Sequence, residues 1–356
     1  MRIIRLGVKS LLVILLLCFA IKVSAEVSVQ STQYFPIIIN VKPTSTPTPT
    51  PTPTPLPPPN PRVPPPWSTS YYMKTINSTT LYNLGCTHGT RDRDLPGVQD
   101  SVVVLDFGKT KQIGSEYGVK LFGSVTYATT TQIGEAVKHF GRGYVECSGS
   151  DILSHVRIGI GTNNYNVESS VTYEHGQAWA RMVNDVNTWF IAAGYFSRVD
   201  AVGASDMELS WNSAAITRRW VDGYDSTNRY ALYNFGDAAS CPTESYPYLT
   251  CASGWTQDDV WYISYGVGSA FPLPLIYADN GVNAEQWYLL SVYAYTHHGK
   301  AFDIKGAFTE WQACQQAGGC GSLDNTPEEG WLFLWDHLNG DPRTKQILRW
   351  STDIKW

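Results

Sequence analysis

The 356-residue chain predicts an α/β fold, a parallel TIM-like (β/α) barrel with eight or fewer regular units, preceded by a disordered Thr-Pro linker. Three observations predict it. Short apolar strands alternate with longer amphipathic stretches along residues 67–356. Six such strands are each followed by a helical pattern, the order that right-handed parallel crossovers require. Acidic and amide residues gather where those strands end.

In chain order, SVVVLDFG (101–108) is continuous and β-branched, as a strand buried on both faces should be. Residues 130–147 place Ile133, Ala136, Val137 and Phe140 at helical spacing. Strand 155–164 and helix 173–194 follow, then strand 199–211 and helix 212–224. Strand 230–236 precedes a cysteine-bounded loop and a helical stretch over 256–270. Strand 272–278 leads to helix 283–298, and strand 303–311 to the closing helix 327–338. A weakly marked strand near Lys120–Thr126 would add one unit. An open doubly wound sheet shares this order, but the Gly-rich turn GIGTNN (159–164) lacks the third glycine of a dinucleotide site. Size and strand number favour the barrel.

Residues 43–66 form a Thr-Pro run that can join neither helix nor sheet and spans roughly 70 Å as polyproline II. Ahead of it, Arg2, Arg5 and Lys9 precede an apolar run and a small-residue site at Val23-Ser24-Ala25, the pattern of a signal peptide over 1–25. The run is too short for a comfortable span, so no transmembrane segment is expected. Residues 26–42 read as a short apolar surface or sorting peptide, a tether to the cell surface. The expected localisation is extracellular, and the expected domain is 67–356.

Without its first 25 residues the chain carries 22 Lys+Arg against 31 Asp+Glu, a net charge of −9. Such a chain is a poor nucleic-acid binder. Apart from Cys18, six cysteines remain, an even number suited to an oxidising compartment. Proximity pairs Cys241 with Cys251 and Cys314 with Cys320, leaving Cys86 with Cys147, although six cysteines allow fifteen arrangements. No CxxC or HExxH accompanies them, so neither a metal nor a cofactor is expected.

In a parallel α/β fold the site forms at the carboxyl ends of the strands. Those ends carry Asp106, Asn163, Asn164, Asp206, Glu208, Asn234, Tyr277 and Glu310. Asp206 and Glu208, two residues apart on one strand, share a face. Like charges held close raise a carboxyl pKa, and a proton donor beside a carboxylate is what glycosidic cleavage requires. Glu310 offers a rival pairing across strands. Trp211 and Trp311, each just past a candidate acid, present flat faces for a sugar, with Asn164, Asn234 and Tyr277 as further contacts. No GxSxG elbow is present.

Asp206-x-Glu208 resembles the D-x-E signature of secreted cell-wall muramidase barrels and, more loosely, chitinase-type barrels. Asp106 is similar to the first-strand acid of the muramidase barrels. The chitinase-type motif has a further acid where this chain has Ala204. The resemblance implies Glu208 as general acid and Asp206 as its electrostatic partner. The run LPGVQDSVVVLDFG also resembles an uncharacterised group of secreted bacterial proteins. The expected function is glycoside hydrolysis by a monomer on a carbohydrate polymer. The competing class is a catalytically silent carbohydrate-binding or surface module on the same scaffold.

Overall fold

The computed structural model describes residues 62–165 and 170–356. The expected signal peptide, the 26–42 peptide and most of the linker lie outside them. Within the linker's C-terminal end, Arg62 makes a two-point ion pair with Asp336 at 2.7 and 2.8 Å.

Eight parallel strands run β1 (Ser68–Tyr72), β2 (Asp100–Ile113), β5 (His155–Asn163), β6 (Val199–Asp206), β7 (Leu232–Asn234), β8 (Ala270–Pro272), β9 (Gly306–Thr309) and β10 (Trp350–Lys355). Each neighbours the next in sequence, and β10 returns to pair with β1. The ring closes between the continuation of β8 and β9, where Leu275 bridges Phe308. Outside stand α1 (Ser78–Asp94), α2 (Thr130–Cys147), α3 (Tyr173–Ala192), α4 (Ala214–Asp225), α5 (Gln257–Trp261), α6 (Val282–His298), α7 (Trp311–Gln316) and α8 (Pro327–Asn339). Local chemistry sets their starts. Thr129 with Gln132 forms a capping box on α2, and Thr326 with Glu329 forms another on α8, with Pro327 in the first turn.

The first and last strands complete the eight units. Their sequences, STSYY and WSTDIK, put the hydroxyls of Ser70 and Thr352 toward the barrel axis between apolar neighbours such as Trp350 and Ile354. Ser70 Oγ meets Thr352 Oγ1 at 2.7 Å and accepts the Val104 N–H at 2.8 Å, so the polar interior is satisfied. The expected extra strand near Lys120–Thr126 is corrected. β3 (Glu116–Lys120) and β4 (Tyr127–Thr129) are an antiparallel excursion on the upper part of β2, outside the ring.

Two apolar layers hold the fold. Between strands and helices lie side chains such as Val103, Leu105, Ile158 and Ile160. Inside the barrel lie Val102, Val104, Val202, Ala204, Phe235, Leu275, Phe308 and Trp350. The period-two alternation of each strand divides these sets. Disulfides join Cys86–Cys147, Cys241–Cys251 and Cys314–Cys320, the pairing that proximity suggested. No helix among the described residues is long and apolar enough to cross a membrane.

Candidate active site

The inward alternation that is apolar in the middle of the barrel becomes acidic at its top. On β2 it runs Val102, Val104, Asp106; on β6, Val202, Ala204, Asp206; past β7, Phe235 and then Asp237; on β9, Phe308 and then, just past the strand, Glu310. Tyr72 ends β1 in register with Asp106. On β5 the inward position beside Asp106 is Gly161, where a Cβ would stand 2.9 Å from the Asp106 Cα. A glycine there lets two strands approach while leaving the space above Asp106 free of a side chain.

Asp106 is fully buried. Its Oδ1 accepts the Gly108 N–H at 3.0 Å and its Oδ2 has no partner. Burial pushes its pKa up to about 7, against that one hydrogen bond. Asp206 is also buried, with Oδ1 unpartnered. Burial first, and then repulsion from Glu208, Asp106, Glu310 and Asp237, hold it well above the carboxylate range. Glu208, half-buried, is raised to about 8 by burial and by Asp237 and Glu310. Asp237 is raised by burial and partly held down by backbone N–H groups, with Leu209 N–H donating to its Oδ1 at 3.2 Å.

Glu310 accepts a hydrogen bond from the Tyr72 hydroxyl, which opposes the upward push of burial on its pKa. Asp353 fixes the backbone just beyond it: its carboxylate accepts the Trp311 and Gln312 N–H groups at 2.8 and 2.9 Å and the Thr309 hydroxyl at 2.6 Å. Tyr277, half-buried, has its pKa raised by burial and by Asp237, Glu208, Glu310 and Asp206, which locates it over the whole cluster. Among the described residues Asp106, Asp206, Glu208, Asp237 and Glu310 form no ion pair, and no three His, Cys, Asp or Glu side chains gather closely enough to hold a metal. The arrangement stores protons: carboxyls with raised pKa values ring a mouth lined by phenols.

The structure brings Asp106, Asp206, Glu208, Glu310 and Tyr277 together. It places the other candidates differently. Asn164 serves the backbone, accepting the Glu208 N–H and donating to the Glu208 carbonyl, each at 3.1 Å, and so fixes where Glu208 leaves its strand. Asn163 accepts the Tyr165 N–H at 3.3 Å. Asn234 is a correction: parity turns it toward the helices, where it is fully buried, donates to Ser264 and accepts the Gly236 N–H, away from the mouth. Trp211 is half-buried and stands edge-on to Tyr165 with ring centres 5.5 Å apart. Trp311, also half-buried, opens α7. Sequence reading passed over Tyr72, Asp237 and Asp353. Asp237 sits two residues beyond inward-facing Phe235, so counting parity from Tyr233 finds it where the end of the strand does not.

No known family and no curated protein matches the chain. Among solved structures, the apo homocysteine methyltransferase from Escherichia coli is similar at 10% identity. The match covers 76% of this chain and 94% of that one, with a TM-score of 0.39. A likeness so distant carries no argument here, and the barrel rests on its own strand order.

Proposed function

We propose that the barrel is an exported glycoside hydrolase-like domain that cleaves cell-wall or extracellular polysaccharide by carboxylate acid/base chemistry. The observation that carries this reading is Glu208: a half-buried carboxyl with its pKa raised to about 8, at the mouth of the barrel, among carboxyls with no cation to neutralise them. A group like that holds its proton at neutral pH and can deliver it to a leaving glycosidic oxygen. Burial first, and then repulsion from Asp237 and Glu310, keeps that proton in place. A second carboxylate must stabilise or attack the sugar carbon, or activate a water. Glu310 fits that part best, because the Tyr72 hydroxyl favours its ionised form. Tyr277 and Trp211 border the cluster as sugar contacts, with Trp311 beside Glu310. Six cysteines in three disulfides support an oxidising compartment.

The test is a screen of the purified protein against peptidoglycan and a panel of polysaccharides, followed by Glu208→Gln. The variant keeps shape and hydrogen bonding but has no proton to give. Turnover should fall a hundredfold or more with binding retained, in line with the usual weight of general acid catalysis, about 10²–10⁴. Activity that survives the change removes Glu208 as donor. Binding without turnover by the wild type selects the silent carbohydrate-binding module instead.

A further inference from the structure

β2 does not stop at the mouth. It continues to Ile113 and carries β3 antiparallel to it, forming an arm above the carboxyls. In that pairing Lys109 lies directly opposite Lys120, so the two ammonium groups share one face. Like charges opposite each other on paired strands are destabilising. An acid would be the ordinary remedy, yet among the described residues neither lysine makes an ion pair. Lys109 instead lies 3.6 Å from the centre of the Tyr165 ring, and Lys120 is exposed. The two lysines line a groove of about 590 Å³ with Phe122 and Val125. Lys74, also without an ion pair among the described residues, sits 5.0 Å from the Trp356 ring; Trp356 is edge-on to Phe122 in the same groove.

Two aromatic pairs connect this groove to the carboxyls. On one side Tyr165 meets Trp211, three residues past Glu208. On the other, Trp356 stacks on Tyr72 at 4.3 Å, and Tyr72 donates to Glu310. A polymer lying across the mouth would thus meet flat rings on both flanks and, above, three lysines that have no ion pair among the described residues. Burial holds the Asp206 and Glu208 carboxyls above the ordinary carboxylate range, which reduces the negative charge facing those lysines.

We propose that the Lys109–Lys120 groove is a subsite for an oxyanion, carboxylate or phosphate, carried by the glycan, so that the substrate is an acidic polysaccharide. The inference rests on the glycosidase reading above, but charge preference is measurable without turnover. The experiment titrates the full chain with three probes: an oligogalacturonate, its fully methyl-esterified form, and poly(glycerol phosphate). One charged probe should bind at least tenfold more tightly than the ester, and added salt should weaken it. A Lys109→Gln/Lys120→Gln double variant should lose that tenfold while binding the ester as before. Preference between the two charged probes assigns carboxylate or phosphate. Equal affinity for the ester, an unchanged double variant, or no binding of any probe overturns the proposal. If no polysaccharide is cleaved while the charge preference stands, the hydrolytic reading fails and the subsite does not.

Discussion

At the N-terminal end of the barrel strands, Asp200 is gripped by Arg157 through three contacts of 2.6–3.1 Å, and Arg157 also donates to the Tyr233 hydroxyl at 3.0 Å. Nearby, Asp92 has Arg91, Tyr144 and Ser101 around it, and Arg349 pairs with Asp100. At the C-terminal end of the same strands, Asp106 and Asp206 are buried as deeply with no cation and one orphaned oxygen each. One sheet therefore holds acids in two regimes. Below, charge is matched and the carboxylates join the scaffold. Above, burial and mutual repulsion keep protons on, a standing cost that packing does not require. Burial alone does not separate the two groups; burial with neither a counter-charge nor a full set of hydrogen bonds does.

Breaking the lower regime should have the largest effect. Arg157→Met strips Asp200 of its guanidinium, leaving the His155 ring 3.5 Å away, and breaking a buried pair costs about 3–5 kcal/mol. Denaturant unfolding at pH 7 should show that loss. A change below 1 kcal/mol would mean that the lower acids are no better matched than the upper ones.

The upper regime should respond in a different way, through pH. The folded pKa of Asp106, about 7, lies above that of a free aspartate, so the folded state keeps a proton that the unfolded chain has released. The stability it contributes is present below about pH 4 and is lost as pH rises through 7. His88 and His175, lowered by burial to about 3 and 4, act with opposite sign and remove stability as pH falls below about 6.5. Stability should peak between these limits. Asp106→Asn should flatten the alkaline side, shrinking the loss between pH 5 and pH 8 by about 2–3 kcal/mol. An unchanged slope would show that Asp106 is ionised in the folded state and that the two ends do not differ as described.

Much of the barrel is legible in the sequence because six strands carry short apolar runs, each followed by a helical pattern; α2 even begins and ends at the residues its pattern suggests. β1 and β10 escape because Ser68, Ser70 and Thr352 break their inward apolar pattern, hydroxyls satisfied by hydrogen bonds across and beside the seam the two strands share. The acids at strand ends are visible for the same reason as the strands: alternation carries an inward position past the apolar core into the mouth. Asp237 and Asn234 show the limit. Both lie at the end of β7, and only the parity of a three-residue strand separates the one facing the mouth from the one packed under a helix.

The closure of the ring has a kinetic consequence. Residues of a parallel strand address their two neighbours alternately. Leu273 and Leu275 donate to Asn234 and Gly236 on the β7 side, so positions 272, 274 and 276 address β9. Two of those three are prolines with no N–H to offer. The seam is left with the Pro272 and Pro274 carbonyls accepting from Lys305 and Phe308, and with the Ile276 N–H donating to Phe308. Two strand positions here offer no donor, and this is where the barrel should breathe. In native-state hydrogen–deuterium exchange, the amides of Lys305, Phe308 and Ile276 should exchange ahead of those of β5, which is paired on both sides along most of its length. Uniform protection around the ring would show that the two prolines cost the closure nothing.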